Sequence, residues 1–165
     1  MREGFDTREL TKFEHELLGI AKRDMPRKSK KFMRKEGSKL RKETLSYAKT
    51  VIKPSNKNTK KDEKHKKYLN SIKRGKPYDF AGSLCIRAYS NAPHAHLLEY
   101  GHRQLVNPGK GKGNGHGVKP GRGIGREVGF VAGYHIFDST AVAFKDDYYS
   151  DTQEFIDDLF DKGLS

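Results

Sequence analysis

Leu10, Phe13, Leu17, Ile20 and Ala21 recur at intervals of three and four residues behind Asp6 and Glu9, whose spacing is that of a capping box in its Asp form. The pattern predicts an amphipathic helix over about 7–24. Met25-Pro26 interrupts it, because the residue before proline is pushed out of the α region, whereas Pro26 itself is acceptable in a first helical turn. A second helix is predicted over about 27–52, where Met33, Leu40, Leu45, Ala48 and Ile52 mark a narrow apolar stripe on a cylinder rich in Lys and Arg. Gly37 weakens that helix by about 1 kcal/mol relative to alanine. Residues 53–67 contain no large apolar residue and predict a mobile basic loop. Tyr68, Leu69 and Ile72 then restore a short amphipathic turn before Gly75 and Pro77 break the chain again.

Leu84, Ile86 and Ala88 alternate within Phe80 to Tyr89, which predicts a strand over about 80–90. Ser90 to Pro93 reads as a turn, and Ala95 to Tyr100 as a partner strand (about 95–101) or a short helical turn, stopped by Gly101. A third strand is expected over 126–132. Between them, residues 107–125 hold eight of the 17 glycines. After Gly133 the period becomes helical: Phe137, Ala141, Phe144, Tyr148, Phe155 and Leu159 predict a helix over about 134–160. The expected fold is α+β in one domain over 1–165: a small antiparallel sheet packed by two N-terminal helices and a long C-terminal helix, with long basic and Gly-rich loops.

A length of 165 residues with 33% hydrophobic content suits one core, and much of the surface is solvated or awaits a partner. No apolar run reaches the length of a membrane span and the first residues lack a signal-peptide core, so the expectation is a soluble, unsecreted protein without membrane partners. Cys85 stands alone and can neither form an internal disulfide nor complete a cysteine zinc site. The net charge of +13 suggests a polyanionic partner, but its distribution qualifies this. Residues 1–80 carry 25 Lys and Arg against 11 acids, whereas residues 138–165 carry 2 against 8. Asp147, Asp151, Glu154 and Asp158 form an acidic docking face on the last helix if the chain assembles. The plain alternative is that both charge runs are solvated helix faces.

Catalytic chemistry is poorly represented. Gly111-Lys112 is followed by Gly113 rather than Ser or Thr, so the glycine segment is not a P-loop. His94 and His96 lie two apart and His102 six further on, but no third ligand has a metal-site spacing and edge or interface histidines are the better reading. No nucleophile elbow accompanies the Ser, His and Asp residues. No enzyme, cofactor or metal is expected. Lys110, Lys112, Lys119, Arg122 and Arg126 are candidates for a subunit interface or for non-specific contact with DNA, since cations spaced by glycine form no preorganised pocket.

The order of elements, with Tyr-Leu-Asn-Ser-Ile-Lys-Arg-Gly-Lys at 68–76, Ala-Pro-His-Ala-His-Leu-Leu-Glu-Tyr-Gly-His-Arg at 92–103 and Val-Gly-Phe-Val-Ala-Gly-Tyr-His-Ile-Phe at 128–137, resembles the tail-component family of tailed bacteriophages and defective prophages. Proteins of that family complete the tail or join it to the head. The resemblance covers roughly residues 8–162 and is most specific at Leu97 to Gly101. It implies a structural corner built from Leu97, Leu98, Glu99, Tyr100, Gly101 and Phe137, which packs the sheet against the last helix. It further implies a virion or tail-like-particle subunit, assembled in the bacterial host cytoplasm as a six- or twelve-fold ring at the neck or upper tail. Tail-tube, tail-terminator, sheath or neck proteins would be its neighbours. A basic, non-enzymatic nucleic-acid-binding protein is the competing expectation.

Overall fold

The structure, a computed structural model, describes residues 8–52, 60–106 and 126–161. Three helices come first: α1 (Arg8–Gly19), α2 (Met25–Val51) and α3 (Lys60–Ser71). Six short strands and one short helix follow: β1 (Ile72–Arg74), β2 (Tyr78–Phe80), β3 (Ser83–Cys85), β4 (Ala88–Ser90), α4 (Ala95–Tyr100), β5 (Gly101–Val106) and β6 (Arg126–Ala132). A long helix, α5 (Ile136–Asp161), completes an α+β fold.

Met25-Pro26 does not separate two helices as the sequence suggests. Ile20–Asp24 form a π-helical segment between α1 and α2, and Gly19, Asp24 and Met25 keep helical dihedrals, so the chain runs helically from Arg8 to Val51. Pro26 sits in the first turn of α2, where its missing N–H is no loss. The loop expected at 53–67 is also shorter than the composition suggests, because α3 begins at Lys60. Lys and Glu are good helix formers, and Tyr68 and Ile72 anchor the far end of this segment in the core.

The single strand expected at 80–90 is a hairpin tip and its return. β2 pairs with β3 and β1 with β4, all antiparallel, and Gly75 N–H donates to the Arg87 carbonyl at 2.8 Å to extend the second ladder. Ala81 and Gly82 both take positive φ, 49° and 77°, which is the two-residue turn that matches strand twist. Lys76 and Pro77 together stand opposite Ile86, so the first strand carries one extra residue where proline has no N–H to donate. Periodicity survived the bulge and hid the turn.

The expected strand at 95–101 is helical over Ala95–Tyr100. Leu97 and Leu98 N–H groups donate to the His94 carbonyl, and Gly101 leaves the helix at φ 81°. The run contains no β-branched residue, and a short apolar run cannot be assigned by period alone. β6 lies where the sequence places it and pairs antiparallel with β5, from Gly101↔Ala132 to Val106↔Arg126.

The core gathers Ala48 of α2, Tyr68 of α3, Ile72 of β1 and Ile136 of α5, flanked by Leu45, Leu69, Leu98 and Phe137 among others. From there α2 and α5 run antiparallel: Lys39 meets Asp151, and Phe32 stacks on Phe155 with centroids 4.6 Å apart. Gly37 lets the hairpin close onto α2, since a Cβ there would overlap the Ile86 side chain.

Candidate functional site

Glu99 lies in the last turn of α4, 5% exposed, with its side chain directed at the start of α5. Its two carboxylate oxygens accept hydrogen bonds from the backbone N–H groups of Ile136 (2.8 Å), Phe137 (3.0 and 3.1 Å) and Asp138 (3.1 Å). These are donors that a helix start leaves without partners, and a negative charge is favoured there by the helix dipole. The backbone adds Tyr134 N–H to Leu98 O at 2.7 Å and His135 N–H to Glu99 O at 3.1 Å. Gly101 and Gly133 allow this crossing: a Cβ on Gly101 would overlap the Val131 carbonyl oxygen, and one on Gly133 the Glu99 carbonyl oxygen. The side chains of the expected corner divide accordingly. Glu99, Gly101, Leu98 and Phe137 build it, Leu97 is half-buried, and Tyr100 turns outward, 63% exposed, with its ring edge toward His135.

Beyond the joint, α2 and α5 meet along a charged seam. Glu36 is fully buried on α2; Lys39 reaches its carboxylate at 3.6 Å and also pairs with Asp151. Burial holds the Glu36 carboxyl above the usual range and the neighbouring Asp151 reinforces this, whereas the hydrogen bond from Lys39 holds Asp151 below it. One turn further, burial followed by the charge of Asp147 raises Glu43. Glu36 was missed in the sequence, although its place three residues after Met33 and four before Leu40 puts it beside the apolar stripe.

The seam opens into a groove of about 530 Å³ between the same helices. Phe32, Phe155 and Leu159 supply apolar lining, Lys28, Lys31 and Lys35 one rim, and Asp151, Glu154 and Asp158 the other. The acidic face expected to await a neighbour is thus partly used within the chain: Asp151 is held by Lys39, and α5 turns its acids along a lysine rim of α2. Asp147 and Glu154 are exposed.

The β5–β6 ribbon is the third feature. Val128, Phe130 and Val131 on β6 are all exposed, Phe130 at 63%, and Arg103 pairs with Glu127 at 3.6 Å across the ladder. Lys110, Lys112, Lys119 and Arg122 lie outside the described residues, and Arg126 opens β6 opposite Val106. Among the described residues no group of three or more His, Cys, Asp or Glu is placed to hold a metal ion, and no helix is long and apolar enough to cross a membrane. Comparison with known protein families, curated proteins and solved structures returns no match for this chain.

Proposed function

We propose that the chain is a structural, non-enzymatic subunit that assembles with its own copies into a ring at the neck or upper end of a phage tail or tail-like particle, completing the tail or joining it to the head. Its neighbours would be tail-tube, tail-terminator, sheath or neck proteins. The observation that supports this most is the ribbon: two strands with Val128, Phe130 and Val131 exposed and, among the described residues, with pairing to no third strand. An isolated two-stranded ribbon is marginal in water, and exposed strand edges with apolar side chains are completed by a neighbour. The sequence resemblance supplies the particle. Size exclusion with light scattering, with and without nuclease, followed by negative-stain imaging, tests the reading. Rings free of nucleic acid are expected; a monomer that carries nucleic acid overturns it.

The second reading, a basic nucleic-acid-binding protein, is favoured by the exposed cations of α2, among them Lys30, Lys31, Arg34, Lys35 and Lys42. Its signature would be affinity for any duplex that falls steeply with salt.

A further inference from the structure

The groove between α2 and α5 is lined, among the described residues, by side chains of those two helices alone. A matching surface stands elsewhere in the same chain. On α1, Phe13 and Leu17 lie one turn apart on one face and are 48% and 39% exposed, and α1 contacts chiefly the π-helical segment that leads into α2. Because that segment keeps helical dihedrals, α1 continues from α2 and leads away from the rim that starts at Lys28. It cannot reach its own groove without breaking the helix.

We propose that the groove receives α1 of a second copy of this chain. The inference rests on the ring reading above and gives that ring its contact. An amphipathic helix laid in an apolar groove uses anchors at i and i+4, as Phe13 and Leu17 are placed. The lysine rim from Lys28 to Lys35 covers two helical turns, about 10 Å, which is room for both anchors. Glu14 adjoins the apolar stripe of α1, and the incoming helix takes the orientation that sets it against Lys31. The arm of one copy and the groove of the next are different surfaces, so the contact is heterologous and repeats around a closed ring.

Sedimentation velocity on full-length variants tests this, with circular dichroism as the control for folding. Wild type sediments as an oligomer larger than a dimer. An arm variant, Phe13→Asp with Leu17→Asp, and a groove variant, Phe155→Asp, each sediment as monomers. Their equimolar mixture forms a species of two chains, because one intact arm then meets one intact groove. If Phe155→Asp fails to fold, Lys31→Glu replaces it: this exposed change weakens assembly about tenfold, and Glu14→Lys in the same chain restores it, a charge exchange worth ~1.4 kcal/mol. Wild-type assembly in the arm variant, a mixture that stays monomeric, or a charge reversal without rescue overturns the proposal. Arm variants that still form wild-type rings sink this contact and leave the ring reading standing. A mixture that pairs while wild type stops at two chains does the opposite.

Discussion

Glu99 closes the start of α5 with one carboxylate on three N–H groups; its side chain is buried and Ile136, in the core, is one of its donors. Glu99→Ala leaves those donors unpaired in a dry site and is expected to cost about 3 kcal/mol, read as a lower denaturant midpoint. Gly101→Ala is expected to cost a similar amount, about 3 kcal/mol, since alanine at φ 81° is strained and its Cβ meets the Val131 carbonyl. A midpoint unmoved by either change would mean that the joint does not hold. The sequence pointed to this place through the Leu-Leu-Glu-Tyr-Gly run but not to its physics, because a buried acid capping a helix 37 residues later has no local pattern. Glu36 behaves differently. Burial raises the carboxyls of Glu36 and Glu43 above their ordinary 4.5, so both bind a proton more tightly in the folded chain. The stability they contribute is fully present below 4.5 and is lost as pH rises through the folded values. Asp151 has the opposite sign: held below its ordinary 3.8 by Lys39, it contributes above that value and its contribution is lost as pH falls through its folded value. Stability measured by urea titration should therefore decline from mildly acidic towards neutral pH. Glu36→Gln should flatten the decline and add about 1 kcal/mol near neutral pH, because the buried amide carries no charge. A steeper decline in the variant would show that Lys39 stabilises the Glu36 carboxylate more than burial penalises it.

Elements with a long, unbroken period were legible in the sequence, and elements set by tertiary contact were not. α5 starts two residues later than its pattern suggests, after Gly133 and the positive φ of His135, and β6 has the bounds expected. α4 reads equally as strand or helix over six residues, and only its hydrogen bonds to His94 and the exit at Gly101 decide. β1 was hidden in the turn after α3 because a strand of three residues has no period to detect, and its partner lies across the hairpin. Gly37 shows the same limit: the helix loses propensity there, while Ile86 of the hairpin gains a place to pack. The β5–β6 ribbon carries its own expectation. Phe130 is 63% exposed, so Phe130→Ser should change the stability of the isolated chain by less than about 1 kcal/mol while lowering the mass of the assembled species in light scattering. A large loss of stability with assembly intact would place Phe130 in the fold rather than at a contact.

At the scale of the molecule, the opposed charges of the two chain ends are brought together first within one subunit, where Lys39 meets Asp151 and the lysine rim of α2 faces the acids of α5. What stays at the surface is the surplus of positive charge and the exposed apolar side chains of α1 and of the ribbon. The segment between Val106 and Arg126 is the piece of sequence whose role is tied to neither. Its 19 residues join two strands that are already paired at their ends, so a turn of four residues in its place closes the same ladder. Closure entropy rises by about 0.6 kcal/mol per doubling of loop length, so if closure alone counts, the shortened chain gains about 1 kcal/mol in stability. Assembly then reports the connector's role separately from the fold. If its spaced cations clasp an adjacent ring, the shortened subunit is more stable and fails to build particles. If they only touch DNA passing through the ring, particles form normally and retain DNA differently. The clasp is the expected outcome, because weak cationic contacts along a DNA path slow a polymer that has to move, whereas the same contacts on a neighbouring ring add to one another. Loss of stability on shortening would contradict both, and would mean that the segment packs on its own subunit.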